Sequence, residues 1–223
     1  MPTTQTKKTR RARQQKREQQ PTEVDDIMKK GVQKSKPIIF GQEMDRALID
    51  GRKTQHRIIS AEFNAMKNMD SILSRFPHQR GCKYGEIGDL LWLQESFSTN
   101  KIDTSIWYWN DGEPIEDFNK KKLPQHMPRL ASRITLKITD IRVERLQDIS
   151  EEDAQSEGTE RGMLKTMGGE FILYGGSYTC GFINLWQSIY GPDSWTQNPW
   201  IWVIEFEVIR KNIDDVIREM GTA

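Results

Sequence analysis

The segment Trp200-Ile201-Trp202-Val203-Ile204-Glu205-Phe206-Glu207-Val208 constrains the fold of this chain more than any other. Five consecutive apolar, β-prone side chains leave neither face of a strand polar, and only its second half alternates. A strand with two apolar faces is buried on both, so it lies inside a sheet and not at its edge. Everything else must pack around it. Leu90-Leu91-Trp92-Leu93, behind the turn signal Gly85-Glu86-Ile87-Gly88-Asp89, reads as a second buried strand. Ser132 to Ile138 alternates with Ile134, Leu136 and Ile138 on one face, and Asp140 to Leu146 continues it or returns. Lys36 to Phe40 reads as a short first strand.

Helices fill the intervals. In Gln42 to Asp50, Met44, Ala47 and Leu48 share a face, and Gly51 stands where a glycine ends a helix. Ser150-Glu151-Glu152-Asp153 reads as a capped N-terminus of a short helix that Gly158 stops. Phe182 to Tyr190 is helical by spacing, and residues 212–220 read as a short terminal helix. Residues 60–80 suit a helix and then a loop, while 98–128 are turn-rich. The expectation is an α+β fold: a small mixed β-barrel with peripheral short helices.

Hydrophobic residues make up 35% of the 223, low enough to imply that part of the chain is unpacked. Residues 1–36 carry 11 Lys/Arg against 4 Asp/Glu, so a basic arm precedes a mildly acidic body. Lys7, Lys8, Arg10, Arg11, Arg13, Lys16 and Arg17 lie in a stretch without a large apolar side chain, which is expected to be disordered. Such an arm either contacts nucleic-acid phosphates or serves as a solvated tail. The organisation expected is a basic arm over 1–35, a domain over 36–210 and a tail over 211–223 that can form a helix. No apolar run reaches the roughly 18 residues that span a bilayer. The distant Cys82 and Cys180 fit reduced thiols and a cytoplasmic location.

The chemistry-bearing residues cluster. Arg52, Lys53 and Arg57 fall within six positions, joined by Thr54, Gln55 and His56. Such a set can hold an anion and hydrogen-bond a base edge, or it can be a solvated charged loop. A lysine desolvated in a pocket can also activate a neighbouring hydroxyl. Glu157 stands at a helix C-terminus, where a carboxylate is disfavoured, which hints at a specific role. His56, His78 and His126 have no metal-ligand spacing, and no phosphate loop, dinucleotide fingerprint or nucleophile elbow is present, so neither metal nor cofactor is expected. Trp107, Tyr108 and Trp109 are either core or a base-stacking group.

Gly51-Arg52-Lys53-Thr54-Gln55-His56-Arg57 resembles the signature of the ASCH domain family, with its glycine, the lysine two residues on and the closing arginine. Gly88 to Glu95, His126 to Ile134, Glu144 to Ala154 and Asn198 to Phe206 resemble a phage and prophage branch of that family. The resemblance covers roughly residues 36–209. It implies a PUA-like barrel with a cleft that binds RNA or nucleotides. One bacterial relative is an amidohydrolase that removes the acetyl group of 4-N-acetylcytidine. Its catalytic lysine and glutamate fall on Lys53 and Glu157, but its threonine position holds His56. This departure removes the nucleophile. Binding of nucleic acid (RNA or DNA) or of a modified nucleobase through Arg52, Lys53, Thr54 and Arg57 is therefore expected first. Hydrolysis of an acylated nucleoside by Lys53, His56 and Glu157 comes second, and a non-catalytic phage accessory or assembly role third.

Overall fold

The computed structural model describes residues 34–66, 81–103, 105–114, 118–162 and 176–221. The basic residues between Lys7 and Arg17, His78 and much of the Gly-rich stretch after Gly162 lie outside the described residues.

The fold is α+β with a mixed five-stranded sheet. Its strands are β1 (Ser35–Ile38), β2 (Gln55–Ile59), β3 (Leu90–Leu93), β6 (Thr135–Arg145) and β7 (Trp200–Ile209), in the order β1-β3-β6-β7-β2. β1 and β3 run parallel, and the other neighbours are antiparallel. Among the described residues β1 and β2 are the two edges and no pairing joins them, so the sheet is not closed there. A separate hairpin pairs β4 (Phe97–Thr99) with β5 (Ile106–Tyr108).

β7 lies between β6 and β2, as its two apolar faces require. Trp200, Trp202, Ile204 and Phe206 point into the main core, together with Leu91, Leu93, Leu136 and Ile138. Ile201 and Val203 point the other way, against Phe182 and Trp186. β3 does the same: Leu90 and Trp92 pack on Ile213 and Val216. The helix α5 (Ile213–Gly221) thus covers the sheet rather than trailing from it.

β6 keeps one face apolar by a bulge. Ile138 pairs with Phe206 and Asp140 with Glu205, leaving Thr139 without a partner in the ladder. The extra residue reverses the alternation. Ile134, Leu136 and Ile138 before it, and Ile141 and Val143 after it, all enter the same core.

Two helices bracket the site. α1 (Gln42–Ile49) ends where Gly51 takes a positive φ of 78°, and it buries Ala47 and Leu48. The short α2 (Ala61–Ala65) follows β2 and buries Phe63. On the opposite face α3 (Glu151–Ser156) is capped by Ser150, whose hydroxyl accepts from the Asp153 amide at 3.0 Å. α4 (Tyr178–Tyr190) packs beside it and begins four residues before the expected start. Those residues are held by a cap: the Ser177 hydroxyl accepts from the Cys180 amide, and the Glu151 carboxylate accepts from the amides of Tyr178 and Thr179 at 2.9 and 3.1 Å.

Candidate functional site

The strand β2 and the residues leading into it organise the site. Side chains two apart share a face. Lys53, Gln55 and Arg57 therefore project toward α3 and α4, while His56 and Ile58 project toward Phe40 and the main core. Lys53 pairs with Glu157 as an isolated antiparallel bridge, and the Thr54 amide donates to the Ser156 carbonyl at 2.8 Å. The end of α3 is thus stitched to the start of β2.

Glu157 is the hub. Lys53 Nζ donates to its Oε2 at 2.7 Å and to its backbone carbonyl at 3.0 Å. Arg57 donates to its Oε1 at 3.3 Å, and His56 Nδ1 lies 3.9 Å from Oε2. Burial would raise the Glu157 pKa, but the Lys53 ammonium, with His56 and Arg57 behind it, wins and holds it at about 2. A carboxylate at a helix C-terminus is unfavourable alone. Here the same ammonium binds both the carboxylate and the last carbonyl of the turn.

Lys53 is completely buried, and its third donor goes to the Gln55 carbonyl at 2.7 Å. Its three ammonium hydrogens are therefore all used within the protein. Burial draws its pKa down, and Glu157 opposes that shift. Arg57 is also fully enclosed. It donates to Gln55 and Glu157 from one nitrogen, and to Glu144 at 3.3 Å and Asp153 at 3.0 Å from the other. The network continues outward through Arg142, which meets Glu144, Asp153 and Glu205. Lys53 and Arg57 thus spend their charge on the protein's own carboxylates.

His56 differs. It is half-buried, its ring stands edge-on to Phe40 with centroids 4.7 Å apart, and Nδ1 has no hydrogen-bond partner among the described residues. Burial lowers its pKa, so the ring is neutral at physiological pH and each nitrogen can serve as donor or acceptor. His56 lines a cleft of about 710 Å³ walled by Phe40, Tyr84, Tyr190 and Ile189, with Lys83 at its rim. Glu157 borders a neighbouring cleft of about 600 Å³ that also holds Arg46, Arg52 and Arg161. Glu43, Met44, Leu185 and Ser188 line both, so the two form one groove between α1 and α4.

The structure brings together Lys53, His56, Arg57 and Glu157. Arg52 stands at the groove edge, where its guanidinium donates to the Gly158 carbonyl at 2.8 Å and meets Asp50. Thr54 is exposed and faces a separate hollow with Gln155 and Tyr178. The aromatic group of the hairpin is engaged internally: Arg133 lies over Tyr108 at 4.0 Å, and the Trp109 indole donates to Ser98. Phe40, Tyr84, Tyr190, Arg46 and Arg161 escaped the sequence reading, because no local pattern marks residues that meet only through the fold. Arg57's carboxylate partners were hidden for the same reason, although the spacing Lys53-x-Gln55-x-Arg57 already puts three polar side chains on one strand face.

No helix among the described residues is long and apolar enough to cross a membrane, and no group of His, Cys, Asp and Glu there could hold a metal ion. No protein family, curated protein or solved structure matches the chain.

Proposed function

We propose that the chain is an ASCH-type, PUA-like domain that binds a nucleobase, free or within a nucleic-acid strand, in the groove beside His56. One observation carries this reading. A neutral, half-buried imidazole lines an aromatic cleft, and the buried Glu157, itself held by Lys53 and Arg57, lies 3.9 Å from its Nδ1. Aromatic walls suit the π-face of any base, and a neutral imidazole suits its polar edge. Lys53, Arg57 and Glu157 act as the rigid support of that imidazole. The basic arm, from Lys7 to Arg17, supplies phosphate contacts that are independent of sequence.

Fluorescence anisotropy with labelled single-stranded RNA and DNA tests this, using the full chain, a chain beginning at residue 34, and His56→Ala. Binding should weaken steeply with salt in the full chain, less so in the truncated one, and should fall about tenfold or more in His56→Ala. Salt-sensitive binding that His56→Ala leaves intact would assign all affinity to the arm. Absence of binding in every form would leave the accessory-protein role.

A second reading has its own support. Closing the 3.9 Å between Glu157 Oε2 and His56 Nδ1 to a hydrogen bond would orient the ring so that Nε2 takes a proton from water, in a hydrolase for acylated nucleosides. Release of acetate from 4-N-acetylcytidine, lost in Glu157→Gln and changed in His56→Thr, is its signature.

A further inference from the structure

We infer that Asp45 works as a proton-operated latch on the groove: protonated, it seats α1 against the 3₁₀ turn Trp109–Asp111, and ionised, it lets that wall of the groove swing away. This adds regulation to the proposed binding site, and it rests on the groove being that site. α1 serves two neighbours. Glu43 and Met44 line both clefts of the groove, and Gly41 and Gln42 line the aromatic one. Asp45, the next residue, turns instead onto the 3₁₀ turn, where it is buried and accepts from Asn110 Nδ2 at 3.2 Å.

The latch is built on a mismatch of charge. Asn110 Nδ2 also donates to the buried Glu95 at 3.1 Å, so one amide bridges two carboxyl groups. The cation of the cluster is Arg133, and its guanidinium is committed elsewhere. It meets Glu95 at 2.9 and 2.8 Å and Asp111 at 2.7 and 2.9 Å. Asp45, Glu95 and Asp111 thus set three carboxyl groups against one guanidinium. The Tyr108 hydroxyl, beneath Arg133, donates to the Ala131 carbonyl. Within α1 itself, Glu43 and Arg46 flank Asp45 and are exposed. Asp45 Oδ1 has no hydrogen-bond partner among the described residues. A buried carboxylate oxygen without a donor is far costlier than a neutral carboxyl. The first turn of a helix favours an anion, yet burial pushes the Asp45 pKa up to about 7, against Asn110 and with Glu95 adding to the rise.

The two ends of α1 are held unequally. At the C-terminal end the Ala47 carbonyl accepts from the amides of Arg52 and Lys53 at 2.8 and 3.0 Å, and Arg210 donates to the Ile49 carbonyl. At the N-terminal end Gly41 supplies no side-chain cap, and Met44 on the core and Asp45 on the turn serve as anchors. Ionisation of Asp45 weakens the second anchor. α1 then pivots about its fixed end, and the moving part is the wall beside Phe40 and His56. The latch is closed below about pH 7 and released above it, so binding in the groove weakens as pH rises.

An assigned NMR titration of the ligand-free full chain, from about pH 5.5 to about 8.5, tests the latch by itself. The Asp45 carboxyl carbon, the Asn110 side-chain amide, the amides of residues 42–46 and the His56 ring nitrogens should share one midpoint at about 7. His56 contributes no midpoint of its own there, because burial lowers its pKa. Asp45→Asn should abolish the midpoint at every position. Glu95→Gln, which removes the opposing carboxylate, should move it to lower pH. Titration of Asp45 and Asn110 that leaves His56 and residues 42–44 unmoved would overturn the latch, as would the lack of any Asp45 midpoint in this range. Calorimetry with the four common ribonucleosides, uncharged over this range, then reads the consequence. Between about pH 6 and about pH 8 the best binder should weaken up to about tenfold in the parent and hold constant in Asp45→Asn. Equal affinity in the parent at both values would overturn the coupling. Failure of all four to bind at either pH counts against the nucleobase reading alone, since the ligand-free titration stands apart from it.

Discussion

Glu157 binds both Lys53 and Arg57, so its loss should be felt well beyond one ion pair. Breaking a buried pair leaves an uncompensated charge, whereas removing both partners does not. Glu157→Ala should cost about 3–5 kcal/mol in urea unfolding, and Lys53→Met/Glu157→Leu should be more stable than Glu157→Ala alone. The pH dependence follows from the same carboxylate. Its folded pKa of about 2 lies below the ordinary 4.5, so its stabilisation is complete above 4.5 and is lost as pH falls toward 2. Glu157→Gln should flatten the stability profile across that interval. Gly158, next in the chain, has a φ of +81°, and a Cβ there would stand 2.7 Å from Ala47 Cβ and 2.8 Å from Lys53 Cβ. Gly158→Ala should therefore destabilise by roughly 1–3 kcal/mol, measurable by the same titration. This residue was legible in the sequence only as a helix stop. Its closeness to Lys53 is a consequence of the fold.

Between elements, the contact most sensitive to conditions joins α1 to the 3₁₀ turn Trp109–Asp111. Asp45, on the buried face of α1, accepts from Asn110 Nδ2 at 3.2 Å, and the same amide donates to the buried Glu95 at 3.1 Å. The other oxygen of Asp45 has no partner among the described residues. Arg133 lies on Glu95 and Asp111 and over Tyr108. Burial pushes the Asp45 pKa up to about 7, with Asn110 opposing and Glu95 adding to the rise. The folded state thus binds a proton that the unfolded chain has released, and stability falls as pH rises from about 4 toward 7, by up to ~1.4 kcal/mol per unit. Asp45→Asn keeps a neutral partner for Asn110, so its stability should lose this slope and exceed the parent's at pH 8 in thermal unfolding. An amphipathic reading of Gln42 to Asp50 finds the helix and its apolar face, but not a carboxyl folded into that face, because periodicity cannot say which polar residue meets a partner from 65 positions away.

For the molecule as a whole, the elements with strong patterns were the legible ones. The two-faced apolar run became the interior strand β7, and the alternating run became β6 at the centre of the sheet. What the pattern could not supply was the bulge at Thr139, the sheet order and the meeting of α1 with α4 that makes the groove, since all three depend on long-range pairing. The site was half legible: Lys53, His56 and Glu157 stood out by residue type and position, while the walls of the groove did not. The claim that unites these observations is that an enclosed ionic network presents His56 to a ligand in that groove. An assigned amide and imidazole NMR titration of the full chain with the ribonucleoside 5′-monophosphates and 4-N-acetylcytidine tests it most directly. The account predicts saturable shifts at the His56 ring nitrogens and at the amides of residues 39–44 and 185–190. Shifts confined to residues 1–33, or none at all, would contradict it.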